Sequence, residues 1–505
     1  MDRRTFLTGT ALAGLAGLLP AGLARATGLD DRARAFRAAL AERPWLAGWQ
    51  TAAHDSFRAD PSDIVVEGRI PAGLDGDLIR NGPAGHEVFG HRYRHWFDGD
   101  GLVHRFRIAD GRIRHDGRLL MTPKRRAEIA AGGPVFAAFD TPPPATPPTD
   151  LPDAMNVANI SVIHHGGRLQ ALWEGGSASV LDEATLEFRE FAVMSDETRG
   201  LPVTAHPRRD PDGTLWSFGY AGYAGKVLLY RLAPDGTLTG VHVIDAAPTP
   251  MIHDFMVTER HIVFILTPFV FDRPDGATFL ERHAWRPEQG GTALVLQKSD
   301  PSIRRFVELP AFWVYHFSNA WADGPDRIRF GFPRYPDPSA TTGSFRAVMD
   351  GSALSGTFAT WHEAVLDLDR ARYSETPVIE GPAAEFPRVH PDLTGRRTDR
   401  TVMLLADAGA AAAHPFFTTT AMLDGSSGRV DAFRHGATEL AEEAIYVPAG
   451  ADERGGWILN TVLDYAAGRT RLKVFEADNV SGGPVAVASL PYALPLGLHG
   501  TFVKA

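Results

Sequence analysis

The chain has 505 residues, 44% of them hydrophobic, a net charge of −10 and no cysteine. That length suits two or three ordinary domains or one large repetitive β architecture, so core size is not limiting. The charge, with no basic cluster, excludes a nucleic-acid partner, and the lack of Cys excludes disulfides, thiolate ligands, iron–sulfur clusters and a cysteine nucleophile.

Asp2-Arg3-Arg4-Thr5-Phe6-Leu7 is a twin-arginine start, followed by an apolar run through Leu23 and then by Ala24-Arg25-Ala26, an A-x-A-like cleavage site. The run is short and rich in Gly and Ala, which disfavours a membrane-spanning anchor. Residues 1–26 are therefore expected to be a cleaved signal that sends the protein to the periplasm. That route carries folded proteins, so a metal can be loaded before export. Asp31–Glu42 is amphipathic and predicts a helix stopped by Pro44.

Hairpin punctuation dominates from there on. Asp110-Gly111, Asp116-Gly117, Gly166-Gly167, Asp212-Gly213 and Asp235-Gly236 each separate short runs rich in β-branched, aromatic and aliphatic residues, the pattern of strands joined by tight turns. Arg80-Asn81-Gly82-Pro83 reads as a strand end and turn, and so does Trp96-Phe97-Asp98-Gly99-Asp100-Gly101, which lacks the further ligands of a calcium loop. His86, His91 and His95 match no zinc spacing and read as surface or loop residues. Pro142-Pro143-Pro144 and Pro147-Pro148 mark an extended loop, and Ala408–His414 holds a helical fragment interrupted by Gly409 and closed by Pro415. No linker divides the chain, so residues 27–505 read as one all-β domain.

Four histidines stand in separate strand-like phrases: His206 in VTAHPRRD, His253 in MIHDF, His316 in VYHFSNAW and His499 in GLHGTFV. Neutral imidazoles suit a borderline first-row metal, and four of them without a charged ligand leave its full charge available, which points to iron and oxygen chemistry. Their intervals are compatible with equivalent inner strands of a radial sheet array, each presenting one imidazole to the axis. Two separate sandwiches fit the spacing equally well, and no blade motif recurs at a fixed period.

These phrases, with RNGPAG at 80–85 and HWFDGDGLVH at 95–104, resemble the carotenoid cleavage oxygenase family from about Gly68 onward. That family includes apocarotenoid and stilbene oxygenases and retinoid isomerases. The resemblance implies a seven-bladed β-propeller with loops and short helices capping the site, and one Fe(2+) per chain on the axis held by His206, His253, His316 and His499. It further implies carboxylate partners for three of the imidazoles: Glu174 in ALWEGG for His253, Glu385 in EFPRVHP for His316, and Glu443 in EEAIYVP for His499, with Glu442 the alternative should the register differ by one. It leaves His206 without one. The implied reaction is oxidative cleavage of an alkene in a carotenoid or apocarotenoid to two carbonyl products, from a lipophilic substrate and dioxygen. Isomerisation on the same centre is the variant without cleavage.

The same resemblance borders the substrate cleft with Trp173, Tyr315, Met251 and Ile160. Ile160 replaces a threonine that many members carry before the ALWEGG strand, making the open side of the metal more apolar. Phe136, Phe139, Phe269 and Phe271 are the residues for an apolar rim and peripheral membrane contact. Cleavage of a hydroxystilbene is the alternative substrate reading. Stilbene cleavers hold a phenol with a Tyr and a Lys; Tyr93 fits the Tyr, whereas Arg126 stands where the Lys is expected, with Lys124 two residues away. A non-enzymatic propeller acting as a binding platform is the alternative from another class, and it needs no metal.

Overall fold

The computed structural model of the chain describes residues 30–143, 151–352, 354, 356–379, 381, 383–406 and 416–505. The twin-arginine leader, Pro144, the Pro147-Pro148 pair and the Ala408–His414 segment lie outside them.

Short strands separated by turn residues cannot hide their edges alone, and here seven antiparallel sheets do so by radial arrangement into a seven-bladed propeller. Taken in chain order, the innermost strands of blades 2 to 7 are Ser161–His165, Arg208–Arg209, Met256–Val257, Ala320–Ala322, Ala383–Arg388 and Glu439–Val447. Blade 1 is mixed in origin. Its strands Gly76–Gly85, Asp100–Ala109, Arg112–Leu119 and Ser56–Ala59 come from early in the chain, and its innermost strand is His499–Lys504, paired with Gly76 to Asn81. Blade 7 is completed in the opposite sense, by Val65–Gly68 pairing with Ala486–Ser489. Two crossings of this kind lock the ring.

Asp110-Gly111 and Gly166-Gly167 do form tight hairpins, with φ of +51° and +70°, and +59° and +68°; two successive positive φ values are what a two-residue type I′ turn requires. Asp212-Gly213 and Asp235-Gly236 also lie in turns between paired strands. Asp116-Gly117 does not: it lies inside Arg112–Leu119, opposite Arg58 and Phe57. Glycine serves there for close approach, since a Cβ would come within 3.2 Å of His104 Cβ and 3.3 Å of Phe57 Cβ.

Arg80-Asn81-Gly82-Pro83 is likewise strand interior, in the buried Gly76–Gly85. Its polar groups are satisfied across blades rather than by a turn. Asn81 donates from Nδ2 to the carbonyls of Ala158 and Ser161 at 3.0 and 2.8 Å, and a register shift after Pro83 accommodates the missing N–H.

Apolar side chains on facing sheets fill the space between blades. Leu78, Phe106, Leu459, Leu472 and Ala488 join blades 1 and 7 and are fully buried, each large one contributing roughly 1.5–3 kcal/mol. Above one face lies a cap of helices. Helix α1, Asp31–Glu42, starts at Asp30, whose carboxylate accepts from Ala33 N at 2.8 Å, and ends before Pro44. Helix α2 spans Pro123–Ala131, and α3, Phe345–Asp350, continues from a π-helical turn at Ala340–Ser344. Arg92 ties α1 to α3: its guanidinium lies 3.4 Å over the Phe36 ring and donates to Met349 O.

Replacing Asn81 with Ala leaves two buried carbonyls without their donor, at about 1–3 kcal/mol each. The denaturant midpoint of Asn81→Ala should fall by a corresponding amount with an unchanged slope.

Candidate metal centre

Each blade sends one functional side chain toward the axis. His206, His253 and His316 stand just before the innermost strands of blades 3, 4 and 5, and His499 opens the innermost strand of blade 1. Blade 2 supplies Glu174, just past Arg168–Leu172, while blades 6 and 7 supply Glu385 and Glu443 from their innermost strands.

The four imidazoles meet. Nε2 of His206 lies 3.0 Å from Nε2 of His253, which lies 3.3 Å from that of His316, which lies 3.2 Å from that of His499; one ligand atom from each lies within 4.8 Å of the others. Behind them stand the carboxylates. Glu174 Oε1 is 2.5 Å from His253 Nδ1, His316 Nδ1 donates to Glu385 Oε2 at 2.6 Å, and His499 Nδ1 donates to Glu443 Oε1 at 2.9 Å. His206 has no carboxylate partner among the described residues.

Two bulges aim the glutamates. A register shift between Glu385 and Arg388 puts Phe386 at φ +56°, which turns Glu385 to His316 and the Phe386 ring to the cavity. A matching shift between Ala441 and Ala444 lets consecutive Glu442 and Glu443 both stay buried, although strand alternation would send one outward. Glu443 is the partner of His499. Glu442 instead accepts from Arg80 Nη2 at 3.0 Å, Thr461 Oγ1 at 2.6 Å and Gly497 N at 2.9 Å.

Charge is arranged to match. Burial disfavours the Glu443 anion, yet Arg388, His499 and Arg80 hold its carboxyl far below the usual range. Burial pulls His499 down to about 3 against the pull of Glu443, and burial followed by the neighbouring imidazoles lowers His206 well below its ordinary value. Burial opposes charge on His253 most strongly, but Glu174, with Asp254 and Glu385 behind it, more than offsets this and raises that group.

With Nδ1–H committed to a carboxylate, a neutral imidazole presents its Nε2 lone pair. Lone pairs facing one another at these distances repel unless a cation lies between them. Metal–nitrogen bonds of ~2.1 Å at right angles place neighbouring nitrogens about 3.0 Å apart, so the spacing fits a first-row divalent ion, with the carboxylates fixing tautomer and ring orientation.

Two spaces reach the imidazoles from opposite sides. One is an apolar cavity of about 80 Å³ under the cap, bordered by His253, His316 and His499 together with aromatic rings that include Trp96, Tyr315 and Phe386. The other is a polar axial chamber of about 440 Å³, bordered by His206, His316, His499, Arg208 and Arg388.

Of the four residues expected beside the substrate, only Tyr315 borders the apolar cavity. Met251 is buried behind it against Trp313 and Tyr315, Ile160 packs in the largest core cluster, and Trp173 packs against that cluster. Sequence reasoning missed Trp96, Phe345 and Phe416. Trp96 sits in the phrase HWFDGDG, where the Asp and Gly residues signalled only a turn. That phrase does turn: Trp96–Asp98 is one 3₁₀ turn, and Asp98 and Asp100 are engaged by Thr141 and by Lys124 and Arg125. His86 and His95 are fully buried rather than exposed, because the cap covers their loop.

Of the four phenylalanines expected at an apolar rim, Phe136 and Phe269 are buried, while Phe139, stacked on Phe279 at 5.1 Å, and Phe271 are half-buried. No helix among the described residues is long and apolar enough to cross a membrane. The lysine beside Tyr93 is Lys124, not Arg126: Lys124 Nζ donates to Tyr93 OH at 2.5 Å and pairs with Asp100 and Glu128 at 3.0 and 2.9 Å, all buried. On α2, Lys124 and Glu128 are one turn apart on the inward face, whereas Arg126 points away and bonds Met121 O.

A seven-bladed propeller with four axial imidazoles and three carboxylates behind them defines a class of metal-site propellers, and comparison with known proteins places the chain within it. The profile of the RPE65 family, described as retinal pigment epithelial membrane protein, matches residues 52–504. The chain belongs to this family, the carotenoid cleavage oxygenases. It is 26% identical over 501 residues to carotenoid 9,10(9',10')-cleavage dioxygenase 1 of Pisum sativum, covering 91% of this chain and 90% of that one. It is 27% identical over 463 residues to isoeugenol monooxygenase of Pseudomonas nitroreducens, covering 88% and 95%. A crystal structure of a variant apocarotenoid oxygenase from Synechocystis superimposes with a TM-score of 0.81 at 24% identity, over 92% of this chain and 98% of that one.

Glu443→Gln removes the anion that faces His499, Arg388 and Arg80. Metal affinity, measured by competition with a chromogenic chelator, should fall about 10–100-fold, and the melting temperature should drop as Arg388 loses its carboxylate partner while Arg80 keeps Glu442.

Proposed function

We propose that the protein is a non-haem iron(II) oxygenase that cleaves an alkene of a carotenoid or apocarotenoid. One Fe(2+) per chain would be held by His206, His253, His316 and His499. The convergence of four Nε2 atoms, three of them backed by carboxylates on Nδ1, carries this reading, and family membership supports the reaction.

Ferrous iron when bound supplies the activation of dioxygen, and one O₂ converts one C=C into two C=O groups with no external reductant. The protein's share is positional. Four neutral imidazoles leave coordination positions free, as oxygenases require. Glu385 accepts from His316 Nδ1 with one oxygen and from Tyr335 OH, at 2.8 Å, with the other, so the ring cannot turn away. The rings of Trp96, Phe97, Tyr315, Phe345 and Phe386 keep the cavity dry and give a conjugated chain flat apolar contact with few polar demands. At about 80 Å³ the cavity holds only the segment around the reacting bond, since enclosing a drug-sized ligand takes ~300–1,000 Å³.

Cleavage of a hydroxystilbene by the same chemistry is the second reading. The Tyr and Lys expected of phenol binders are paired, Lys124 donating to the Tyr93 hydroxyl, but both are buried and neither borders the apolar cavity.

Protein purified anaerobically with ferrous iron should carry close to one iron per chain, and His316→Ala should lose it. Mass spectrometry with an apocarotenal and a hydroxystilbene should show two carbonyl fragments from one of them, each with one ¹⁸O from labelled O₂. Iron-free protein whose ligand binding survives His316→Ala would instead make it a binding platform. Export to the periplasm belongs to the same proposal and rests on Arg3 and Arg4; replacing both with Lys should leave the precursor in the cytoplasm on fractionation.

A further inference from the structure

Two residues that border the apolar cavity each carry a buried polar atom that no described residue satisfies. Ser344 borders the cavity, is 8% exposed, and its Oγ has no hydrogen-bond partner. Trp96 also borders it, is 2% exposed, and its Nε1–H has none. They share one wall: Phe345, next to Ser344, packs edge-on against the Trp96 ring at 5.5 Å.

Ser344 ends the π-helical turn Ala340–Ser344, a distortion that often marks functional positions. A helical serine either points its hydroxyl to solvent or turns it back to the carbonyl one turn earlier, and this one does neither. Gly356 secures its place, because a Cβ there would lie 2.5 Å from Ser344 Oγ. A buried hydroxyl without a partner costs about 1–3 kcal/mol, and so does an unpaired indole N–H in the same apolar wall.

We propose that Ser344 and Trp96 determine specificity by hydrogen-bonding an oxygen on the substrate, so that the preferred alkene carries a hydroxyl, methoxy or carbonyl group and its hydrocarbon counterpart is discriminated against. The inference rests on the oxygenase reading of the same cavity. A site built to bond an oxygen rejects the analogue that lacks it, because its own polar groups are then left unpaired. Removing the serine hydroxyl removes an unsatisfied group, so Ser344→Ala should melt at the same temperature as the parent or higher.

The test uses iron-loaded protein and two matched pairs: trans-4-hydroxystilbene with trans-stilbene, and an apocarotenal with the hydrocarbon of equal chain length. Within at least one pair the parent protein should favour the oxygenated member by tenfold or more in kcat/KM. Ser344→Ala and Trp96→Phe should each cut that ratio several-fold, chiefly through KM. Equilibrium binding of the same pairs to the parent and Ser344→Ala, followed by tryptophan quenching, gives a readout independent of turnover. A parent that cleaves both members equally, a ratio unmoved by Ser344→Ala, or a lowered melting temperature for that variant overturns the proposal and leaves the oxygenase reading standing. Serine-dependent preference in binding without any cleavage keeps the proposal and overturns the oxygenase reading.

Discussion

Four nitrogen lone pairs aimed at one point set the terms for the rest of this molecule. Each faces another at hydrogen-bond distance, and in three of the four rings Nδ1 is turned the other way onto a carboxylate. Such an arrangement persists only if something stiff enforces it. The propeller does so by bringing seven blades to one axis, four of which deliver an imidazole and three a glutamate. The count leaves His206 without a carboxylate, and it is the half-buried member of the set.

Holding three anions in the interior takes further organisation. Glu443 is surrounded by Arg80, Arg388 and the His499 ring, and Glu442 by Arg80 and Thr461. Both inner strands that carry glutamates are bulged at those residues, which frees the side chains from strict alternation. Blade 1 contributes Arg80 to this network from a strand whose polar sequence is unusual for a buried position, and the same strand pairs with the one that carries His499. The sides of the centre differ in kind: aromatic and dry under the cap, polar and charged along the axis.

Much of this was legible in the residues themselves. Four histidines in separate apolar phrases and the punctuation of the hairpins pointed to a radial β architecture with an axial metal, although spacing alone left two sandwiches open until family motifs decided between them. Asp110-Gly111 read correctly because nothing but a turn needs two positive φ values there. Asp116-Gly117 misled because its glycine answers a steric demand from a neighbouring strand, which no local pattern records. The Tyr93 partner was misplaced by two positions because the resemblance alone set Arg126 at the lysine position, whereas on α2 Lys124 and Glu128 share the inward side. The cavity wall was the least legible part. Trp96, Phe345, Phe386 and Phe416 come from four remote segments, and only tertiary folding makes them neighbours.

The strand that begins with His499 is also the one that closes the ring. Its pairing with Gly76 to Asn81 fastens sequence-distant parts of the chain, so any cation seated between His499 and the other three imidazoles acts as a rivet through that seam. With such a cation bound, occupancy and the integrity of the seam would be coupled: its loss would slacken the joint between blade 1 and its neighbours, and prying that joint apart would withdraw a donor. Such long-range pairing is slow to form because its loop-closure entropy comes first, and an ion that binds only the closed ring makes it slow to undo.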